Sequence, residues 1–461
     1  MKERETEELL PQLTAWRREF HKYAESGWLE MRTASRIARI LKTMGYEPLV
    51  GRELCAKSSR MALPPEAILE KHVMWAAENG ADPEYLPLVK GGFTGVAAEI
   101  RFGEAARQTN AQELIIQKYP VIAFRFDIDA LGVEESRDPE HVPVKNAFRS
   151  VSDGVMHACG HDGHIAIGLG LAELLMRHRR NEEDWSGTVK LIFQPAEEGV
   201  RGGKSVAESG ILKDVDYSMA GHIMPCGTSG AEVAVIRDGG SIGLATVKLD
   251  MHFMGKAAHA GAAPEEGCNA MLAAASAVLN LHAMPRFGSV PTQINVGKLT
   301  AGTGRNVVCD SALLEMEVRA GTSGACRYLE EYAERIAEHA ASMHGCTCDV
   351  RCVGSAPVLK NSAGLTERAL RVCRELGIRT VTAERSEGSS EDYAWFAREV
   401  LKNGGESLYL GFPCRCTAPN HDRAFDFDER VMAVGVRVFM GMAEDILSAS
   451  EDQNQMLGDA L

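Results

Sequence analysis

Residues 156–175 read MHACGHDGHIAIGLGLAELL, and this stretch joins a polar cluster to an apolar segment. From Ile165 onward the apolar residues recur at helical spacing, which predicts a helix over residues 162–178. Short apolar runs of the kind that form strands lie before and after it, at residues 120–126 and 188–193. A strand, a helix and a second strand in this order are typical of a parallel α/β sheet covered by helices.

The same alternation of strands and helices extends over most of the chain. Further strands are predicted at 94–100, 215–223, 379–382 and 407–411, and further helices at 6–20, 31–43, 363–376, 391–402 and 428–448. From residue 244 the order becomes β-α-β-β-α-β, which is typical of a small α+β unit with an antiparallel sheet. The expected fold class is therefore α/β: a central sheet with helices on both faces, interrupted by a smaller α+β, ferredoxin-like unit.

The length of the chain, 461 residues, exceeds what one hydrophobic core usually supports, so two domains are expected. Residues 1–242 and 355–461 would form the two parts of an α/β catalytic domain, and residues 243–354 an inserted lid or dimerisation domain. The stretch 52–90 is polar and contains four prolines. It breaks the helical pattern, which predicts an insertion near the surface.

Composition excludes several classes of function. The net charge is −14 and no long run of lysine or arginine occurs, so a nucleic-acid partner is not expected. The charged N-terminus lacks the apolar core of a signal peptide, and no apolar run is long enough for a membrane span. We therefore expect a cytoplasmic protein that does not bind membranes, whose twelve cysteines are reduced thiols.

Two motifs carry most of the chemistry. In HACGHDGH, residues 157–164, Cys159 and His161 are two positions apart and would face the same side of an extended loop. A thiolate and an imidazole suit zinc or a related ion, although a polar loop with capping residues is the structural alternative. In QPAEEG, Glu197 and Glu198 follow an apolar strand directly. One of the two could bind metal while the other acts as a general base, and an ordinary acidic loop is the alternative.

Two single histidines complete the candidate site. His222 follows a predicted strand in AGHIMP, and His421 lies in PNHDRAFDFDE before an acidic, aromatic stretch. Either histidine alone is more often structural than catalytic. Ligands in α/β proteins collect where strands end, however, and each of these motifs lies at such a position. Together they offer enough donors for two neighbouring divalent ions.

The sequence resembles the amidohydrolase branch of the dinuclear metallopeptidases, a family that includes hippurate and auxin-conjugate hydrolases. The resemblance rests on the stretch quoted first and on WRREFHKYAESGW (16–28), SRMALP (59–64), KLIFQPAEEGVRGG (190–203), AAHAGAAPEEGCNAMLAAA (257–275), GRNVV (304–308) and FDFDE (425–429). It runs nearly from end to end and implies a zinc-peptidase-like catalytic domain. The SRMALP insertion separates the chain from plain hippurate hydrolases.

The resemblance also implies residue roles. The metal ligands would be Cys159, His161, Glu198, His222 and His421. Glu197 would be the general base, and Asp127 in RFDID would orient a ligand from outside the metal shell. His259 of AHAG would stabilise the oxyanion from the lid domain, often in the partner subunit, with help from Asn306. Arg305 would bind a substrate carboxylate, with a surface salt bridge as the equal alternative.

The implied activity is metal-dependent hydrolysis of a linear amide bond by two divalent ions, Mn²⁺ or Zn²⁺. Within the family, the resemblance implies p-aminobenzoyl-glutamate, a folate breakdown product, as the substrate. Another N-acyl amino acid such as hippurate is the first alternative. The second is a non-catalytic subunit of a heteromeric hydrolase. The implied assembly is a homodimer or a heteromer with a related hydrolase subunit.

Overall fold

A computed structural model describes residues 3–103, 119–180, 185–226, 232–236, 241–383 and 389–448. Its helices are α1 (Glu3–Lys22), α2 (Met31–Met44), α3 (Glu66–Glu78), α4 (Leu86–Val89), α5 (Val142–Lys145), α6 (His161–Arg180), α7 (Gly203–Ala207), α8 (Ala270–His282), α9 (Ser323–Met343), α10 (Ala363–Glu375), α11 (Ala394–Lys402) and α12 (Val431–Leu447). Its strands are β1 (Leu49–Val50), β2 (Val96–Phe102), β3 (Val121–Asp127), β4 (Gly187–Gln194), β5 (Tyr217–Pro225), β6 (Glu232–Ile236), β7 (Ser241–Gly243), β8 (Ala245–Met254), β9 (Thr292–Ala301), β10 (Ser311–Ala320), β11 (Thr347–Ala356), β12 (Leu359–Lys360), β13 (Arg379–Ala383) and β14 (Glu406–Cys414).

The larger sheet has eight strands in the order β1-β2-β4-β3-β5-β14-β6-β13. Its centre, β4-β3-β5-β14, is parallel, as the sequence predicts. The flanks differ from the prediction, because β2 runs antiparallel to β4 and β6 runs antiparallel to β14. The sheet is therefore mixed, and its four central strands all end at the same edge.

Alternating side chains on the central strands pack into two hydrophobic cores. Phe124 and Phe193 face α1, α6 and α12, while Ala123 and Ile192 face α7 and α11. This period of two is what a strand buried on both sides requires. Helices thus cover both faces of the sheet, which confirms the predicted fold class.

The chain between β7 and β12 builds a second, smaller sheet. Its four strands are antiparallel in the order β11-β8-β10-β9, and the element order β8-α8-β9-β10-α9-β11 is the predicted one. On β8, Leu249, Met251 and Phe253 are buried against α8 and α9. Strand β9 lies at an edge of this sheet and is ten residues long.

The stretch 52–90 contains a helix that the sequence pattern does not predict. Helix α3 buries Leu69 and Ala76, and His72 contacts Glu25 at 2.8 Å. In front of the helix, the indole of Trp28 donates a hydrogen bond to the backbone carbonyl of Met61 at 2.7 Å. The insertion is therefore fixed to the part of the chain that carries the larger sheet. None of the described helices is long and apolar enough to cross a membrane.

Candidate metal centre

The candidate ligands converge at the edge where the central strands end. Cys159 precedes α6, His161 is its first residue, and Glu197 and Glu198 lie on the turn after β4. His222 lies near the end of β5, and His421 follows β14. In the sheet, β3 lies between β4 and β5, so the chain turns to opposite sides of this point after β3 and after β4. Open α/β sheets place their ligands at such a position.

His161 is fully buried and its ring has one fixed orientation. Its Nδ1 lies 2.9 Å from the backbone carbonyl of Asp129, so Nδ1 carries the proton and donates it. Its Nε2 is buried without any hydrogen-bond partner, and lies 3.9 Å from Glu198 Oε1. A buried ring nitrogen without a hydrogen-bond partner is costly unless a ligand binds it, so this atom fits a metal ion.

His222 has the same arrangement on the other side of the thiol. Its Nδ1 donates to the backbone carbonyl of Ile223 at 2.6 Å, and its Nε2 lies 3.4 Å from Cys159 Sγ. Burial lowers the pKa of His222 to about 3, so the ring is neutral and its Nε2 lone pair faces the thiol. Burial also raises the pKa of the Cys159 thiol to about 12 when no metal is bound. Metal binding at this site would therefore release the thiol proton.

Asp129 holds the turn that carries Glu197 and Glu198, called here the glutamate turn. The two oxygens of the Asp129 carboxylate accept the backbone N–H groups of Glu197 at 3.0 Å and Glu198 at 2.9 Å. Ala196 adopts a positive φ of 54°, which turns the chain sharply after β4. The two adjacent glutamate side chains consequently reach the cluster together, each within about 4 Å of His161 Nε2.

His421 closes the cluster from the solvent side. Its backbone has a φ of 70°, and its N–H donates to the Ala158 carbonyl at 2.7 Å. Its Nε2 lies 3.8 Å from Glu198 Oε1, while 56% of its side chain is exposed. The neighbouring Asn420 donates to Cys159 Sγ at 3.4 Å. The loop after β14 thus forms the open side of the site.

These donors fall into two overlapping groups. Cys159, His161 and His222 lie within 4.8 Å of one another, and so do Cys159, Glu198 and His421. Glu198 Oε1 is also buried without a hydrogen-bond partner. Because a single tetrahedral ion takes four ligands, two groups that share a thiolate fit a pair of ions better than one.

Asp127 lies beside the cluster and is engaged elsewhere. Its carboxylate accepts a hydrogen bond from His164 Nδ1 and pairs with Arg125 at 2.7 Å. His164 Nε2 in turn accepts the backbone N–H of Ile223 at 2.9 Å, so neither nitrogen of that ring is free for a metal. Asp127 and His164 therefore connect β3 to β5 beneath the candidate ligands.

A second acidic group supports the other end of the glutamate turn. Arg125 pairs with Glu391 at 3.0 Å and with Asp392 at 2.9 Å. Asp392 also accepts the backbone N–H groups of Gly202 and Gly203 at 3.1 and 2.6 Å. Burial and the proximity of Glu391 hold the pKa of Glu197 well above its usual value. These contacts join residues far apart in sequence, and no local motif signals them.

Three further predicted residues lie on turns beside the smaller sheet. His259, Arg305 and Asn306 sit on exposed turns, and a bridge pairs His259 with Val307. His259 Nδ1 accepts the N–H groups of two following residues at 3.2 and 3.1 Å, so a neutral ring carries its proton on Nε2. Within the described part of the chain, no hydrogen bond or ion pair connects these three residues to the metal cluster.

The chain matches the model of "Peptidase family M20/M25/M40" over residues 123–445. Two characterised proteins are similar over nearly the whole length. One, a subunit of the p-aminobenzoyl-glutamate hydrolase of Escherichia coli (strain K12), is 41% identical over 433 residues, covering 93% of this chain and 94% of that protein. The indole-3-acetyl-aspartic acid hydrolase of Enterobacter agglomerans is 42% identical over 434 residues, with the same coverage of 93% and 94%.

The fold has a similar relative among solved structures. The crystal structure of an aminobenzoyl-glutamate utilization protein from Klebsiella pneumoniae is 36% identical to this chain, and the match covers 96% of both chains. The TM-score is 0.76. Sequence and fold therefore point to the same group of proteins.

Proposed function

The chain belongs to peptidase family M20/M25/M40 and is a metal-dependent amide hydrolase, and on this premise we propose that it cleaves p-aminobenzoyl-glutamate to p-aminobenzoate and glutamate. The observation that supports this most is the cluster of metal donors beside a second carboxylate, Glu197, on the same turn. Near-complete similarity to one chain of a p-aminobenzoyl-glutamate hydrolase supports the substrate.

Two divalent ions, Mn²⁺ or Zn²⁺, are held by Cys159, His161, Glu198, His222 and His421 in this proposal. When bound, such ions supply positive charge that lowers the pKa of a water molecule and polarises the amide carbonyl. The soft thiolate favours Zn²⁺, whereas the carboxylate also suits Mn²⁺. Metal analysis of the purified protein distinguishes the two.

Glu197 moves the proton in this mechanism. Its carboxylate lies 4.0 Å from His161 Nε2, next to the donors but outside the two groups that share Cys159. It accepts a proton from the attacking water and delivers it to the leaving nitrogen of the glutamate product. His259 presents a donor N–H at Nε2 to the carbonyl oxygen as negative charge develops there, and Asn306 adds a second donor.

A second candidate substrate is an N-acyl-aspartate, since a 42% identical relative is an indole-3-acetyl-aspartic acid hydrolase. The names of the two relatives share an acidic amino acid and differ in the acyl group. An acidic leaving amino acid is therefore the common part of both proposals. Turnover of aminobenzoyl-glutamate, indole-acetyl-aspartate and hippurate, measured side by side, ranks them.

The assembly includes a partner chain in this proposal, either a second copy or a related hydrolase chain. The name of the Escherichia coli relative describes it as one subunit of its enzyme. The long edge strand β9 and the exposed leucines of α8, Leu272 and Leu279, offer a surface for that partner. If the chain alone has no activity and a companion chain restores it, the protein is a non-catalytic or dependent subunit.

The decisive experiment is hydrolysis of p-aminobenzoyl-glutamate by the purified chain. EDTA should abolish turnover, and Mn²⁺ or Zn²⁺ should restore it. In Glu197→Ala, turnover should fall about 10²- to 10⁴-fold while the metal content stays unchanged. The exposed Glu140→Ala serves as the control and should keep wild-type turnover. Full turnover of metal-loaded Glu197→Ala would rule out the proposed role.

A further inference from the structure

Arg201 is an arginine beside the metal cluster that has no acidic partner among the described residues. It lies three residues after Glu198, and its Nε donates to the Glu198 backbone carbonyl at 2.8 Å. In the described part of the chain, its guanidinium forms no ion pair and no stacking contact with an aromatic ring. The other two arginines close to the site differ: Arg17 and Arg125 each contact three carboxylates.

None of the described carboxylates pairs with this guanidinium, although the chain is rich in them. The chain has 64 acidic and 50 basic residues, so carboxylates are in excess. Arg201 is only partly buried, and its two terminal nitrogens keep donors available beyond the single bond made by Nε. Planar guanidinium groups bind carboxylates in a two-pronged arrangement that a point charge cannot match. An acidic ligand is therefore the partner that this position fits.

Gly27 has no side chain, and this leaves room for the guanidinium of Arg201. A Cβ at Gly27 would lie 2.3 Å from Arg201 Nη2 and 3.0 Å from the Cα of Ala196. The following residue, Trp28, is fully buried although its φ is 68°, a conformation that a bulky residue rarely adopts. Its indole bonds to Met61 of the insertion. Gly27 thus lies against the guanidinium, and the residue after it is tied to the insertion.

We propose that Arg201 binds the side-chain carboxylate of the substrate's acidic amino acid and thereby selects acidic over neutral leaving groups. This inference rests on the proposed amide hydrolysis. A glutamyl or aspartyl conjugate carries two carboxylates, and Arg305 on the smaller sheet is a separate candidate for one of them. Arg201 belongs to the turn that carries Glu197 and Glu198, and its Nε bonds the backbone of Glu198 itself.

The test compares aminobenzoyl-glutamate with aminobenzoyl-glutamine, which differ only in the side-chain carboxylate. For Arg201→Gln, kcat/KM for the glutamate conjugate should fall about 10- to 100-fold, mainly through KM, since hydrogen bonds to charged groups contribute that much. For the glutamine conjugate it should stay within about twofold, because the amide makes no ion pair. Arg201→Lys should recover part of the loss.

A matched control removes a different positive charge. Arg398 is exposed on α11, stacks on Trp395 and has no acidic partner among the described residues. Arg398→Gln should leave both conjugates unchanged, which excludes a general effect of net charge. Calorimetry gives a readout without turnover: L-glutamate should bind the metal-loaded wild type more tightly than L-glutamine, and Arg201→Gln should erase that difference.

The outcomes separate the two proposals. Equal losses with both conjugates, or an unchanged preference for the glutamate conjugate in Arg201→Gln, would overturn the role of Arg201. If the wild-type protein cleaves neither conjugate in the presence of metal, the proposed function fails instead. Unchanged metal content and melting temperature in Arg201→Gln show that the variant is folded.

Discussion

Asp129 contacts three parts of the candidate site without being one of its ligands. Its backbone carbonyl orients the His161 ring, and its carboxylate accepts the N–H groups of Glu197 and Glu198. Asp129→Asn replaces one accepting oxygen by an NH₂ group that faces an N–H. Metal affinity should therefore fall about 10- to 100-fold, as for other groups that orient ligands. Equilibrium dialysis with Zn²⁺ or Mn²⁺ measures the change.

The control for Asp129 is Asp138→Asn, because Asp138 is exposed and its carboxylate accepts a local N–H, that of Glu140, at 2.9 Å. Its metal affinity should match that of the wild type. An unaltered metal affinity in Asp129→Asn would show that the glutamate turn keeps its shape without this carboxylate.

Gly202 is the second residue on which the glutamate turn depends. A Cβ at this position would lie 1.7 Å from the backbone oxygen of Pro195, and backbone atoms cannot move aside cheaply. Gly202→Ala should therefore destabilise the fold by about 1–3 kcal/mol, as overpacking does, and lower the apparent melting temperature. Gly132→Ala is the matched control, since a Cβ there meets nothing within 4 Å. Equal melting temperatures for the two variants would contradict this expectation.

At this scale the sequence predicts the candidate metal ligands that lie together, but it also predicts His259, Arg305 and Asn306, which lie apart from them, and it does not predict what holds the ligands. Cys159, His161 and Glu198 are recognisable because each lies in a short motif at the end of a strand or the start of a helix. The supporting contacts of Asp129, His164 and Asp392 join backbone and side chains across long sequence separations. Spacing along one strand or helix cannot encode such contacts.

Helix α1 is anchored to the start of α6 by a buried network of charged side chains. His21 contacts Asp162 at 2.8 Å and Glu135 at 3.0 Å, with all three side chains fully buried. Burial opposes a charge on the ring, but the hydrogen bonds to Asp162 and Glu135 raise the pKa of His21 to about 9. The protonated ring therefore stabilises the folded state by an amount on the order of 3 kcal/mol.

The pH dependence follows from the direction of that shift. Because the folded-state pKa lies above the usual value of 6.5, the contribution of His21 is complete below pH 6.5 and is lost as the pH rises through about 9. His21→Gln should thus destabilise metal-free protein strongly at pH 6 and much less at pH 9.5. Urea unfolding at both pH values measures this difference. A gap between variant and wild type that widens with pH would refute it.

Helix and strand positions are predicted best where one pattern dominates the segment. The predicted helix 162–178 becomes α6, His161–Arg180, because its apolar residues are buried on nearly every side. Helix α3 is not predicted because it follows two prolines and buries only Leu69 and Ala76. The antiparallel direction of β2 also could not be predicted, since strand direction depends on the connection and not on the residues of the strand.

On the scale of the whole molecule, the two sheets differ in the length of their edge strands. The edges of the larger sheet are the short strands β1 and β13, whereas the smaller sheet exposes β9 over ten residues. Helix α8 packs on β9 and exposes 51% of Leu272 and 74% of Leu279. A long edge strand next to exposed leucines is a surface suited to binding a second chain.

Charge on this surface should therefore separate the partners. For the proposed homodimer, Leu272→Lys combined with Leu279→Lys should shift the protein toward monomer in sedimentation velocity. Met74→Lys is the control, because Met74 is 62% exposed on α3, in the part of the chain that covers the larger sheet. If the double variant sediments like the wild type, the partner binds elsewhere.

His259 lies apart from the metal cluster of its own chain, so we can test whether each active site uses residues from two chains. The resemblance implies that this histidine often acts on the partner's substrate, and in the described residues no hydrogen bond links it to its own cluster. Glu197→Ala and His259→Ala should each be inactive alone. After subunit exchange, a homodimer with shared sites should recover about a quarter of wild-type turnover, because half of the dimers are mixed and each has one intact site.

A homodimer whose sites are complete within one chain recovers nothing, and neither does a chain whose natural partner is a different subunit. Adding that second type of chain then distinguishes these two cases, since only the dependent chain gains activity.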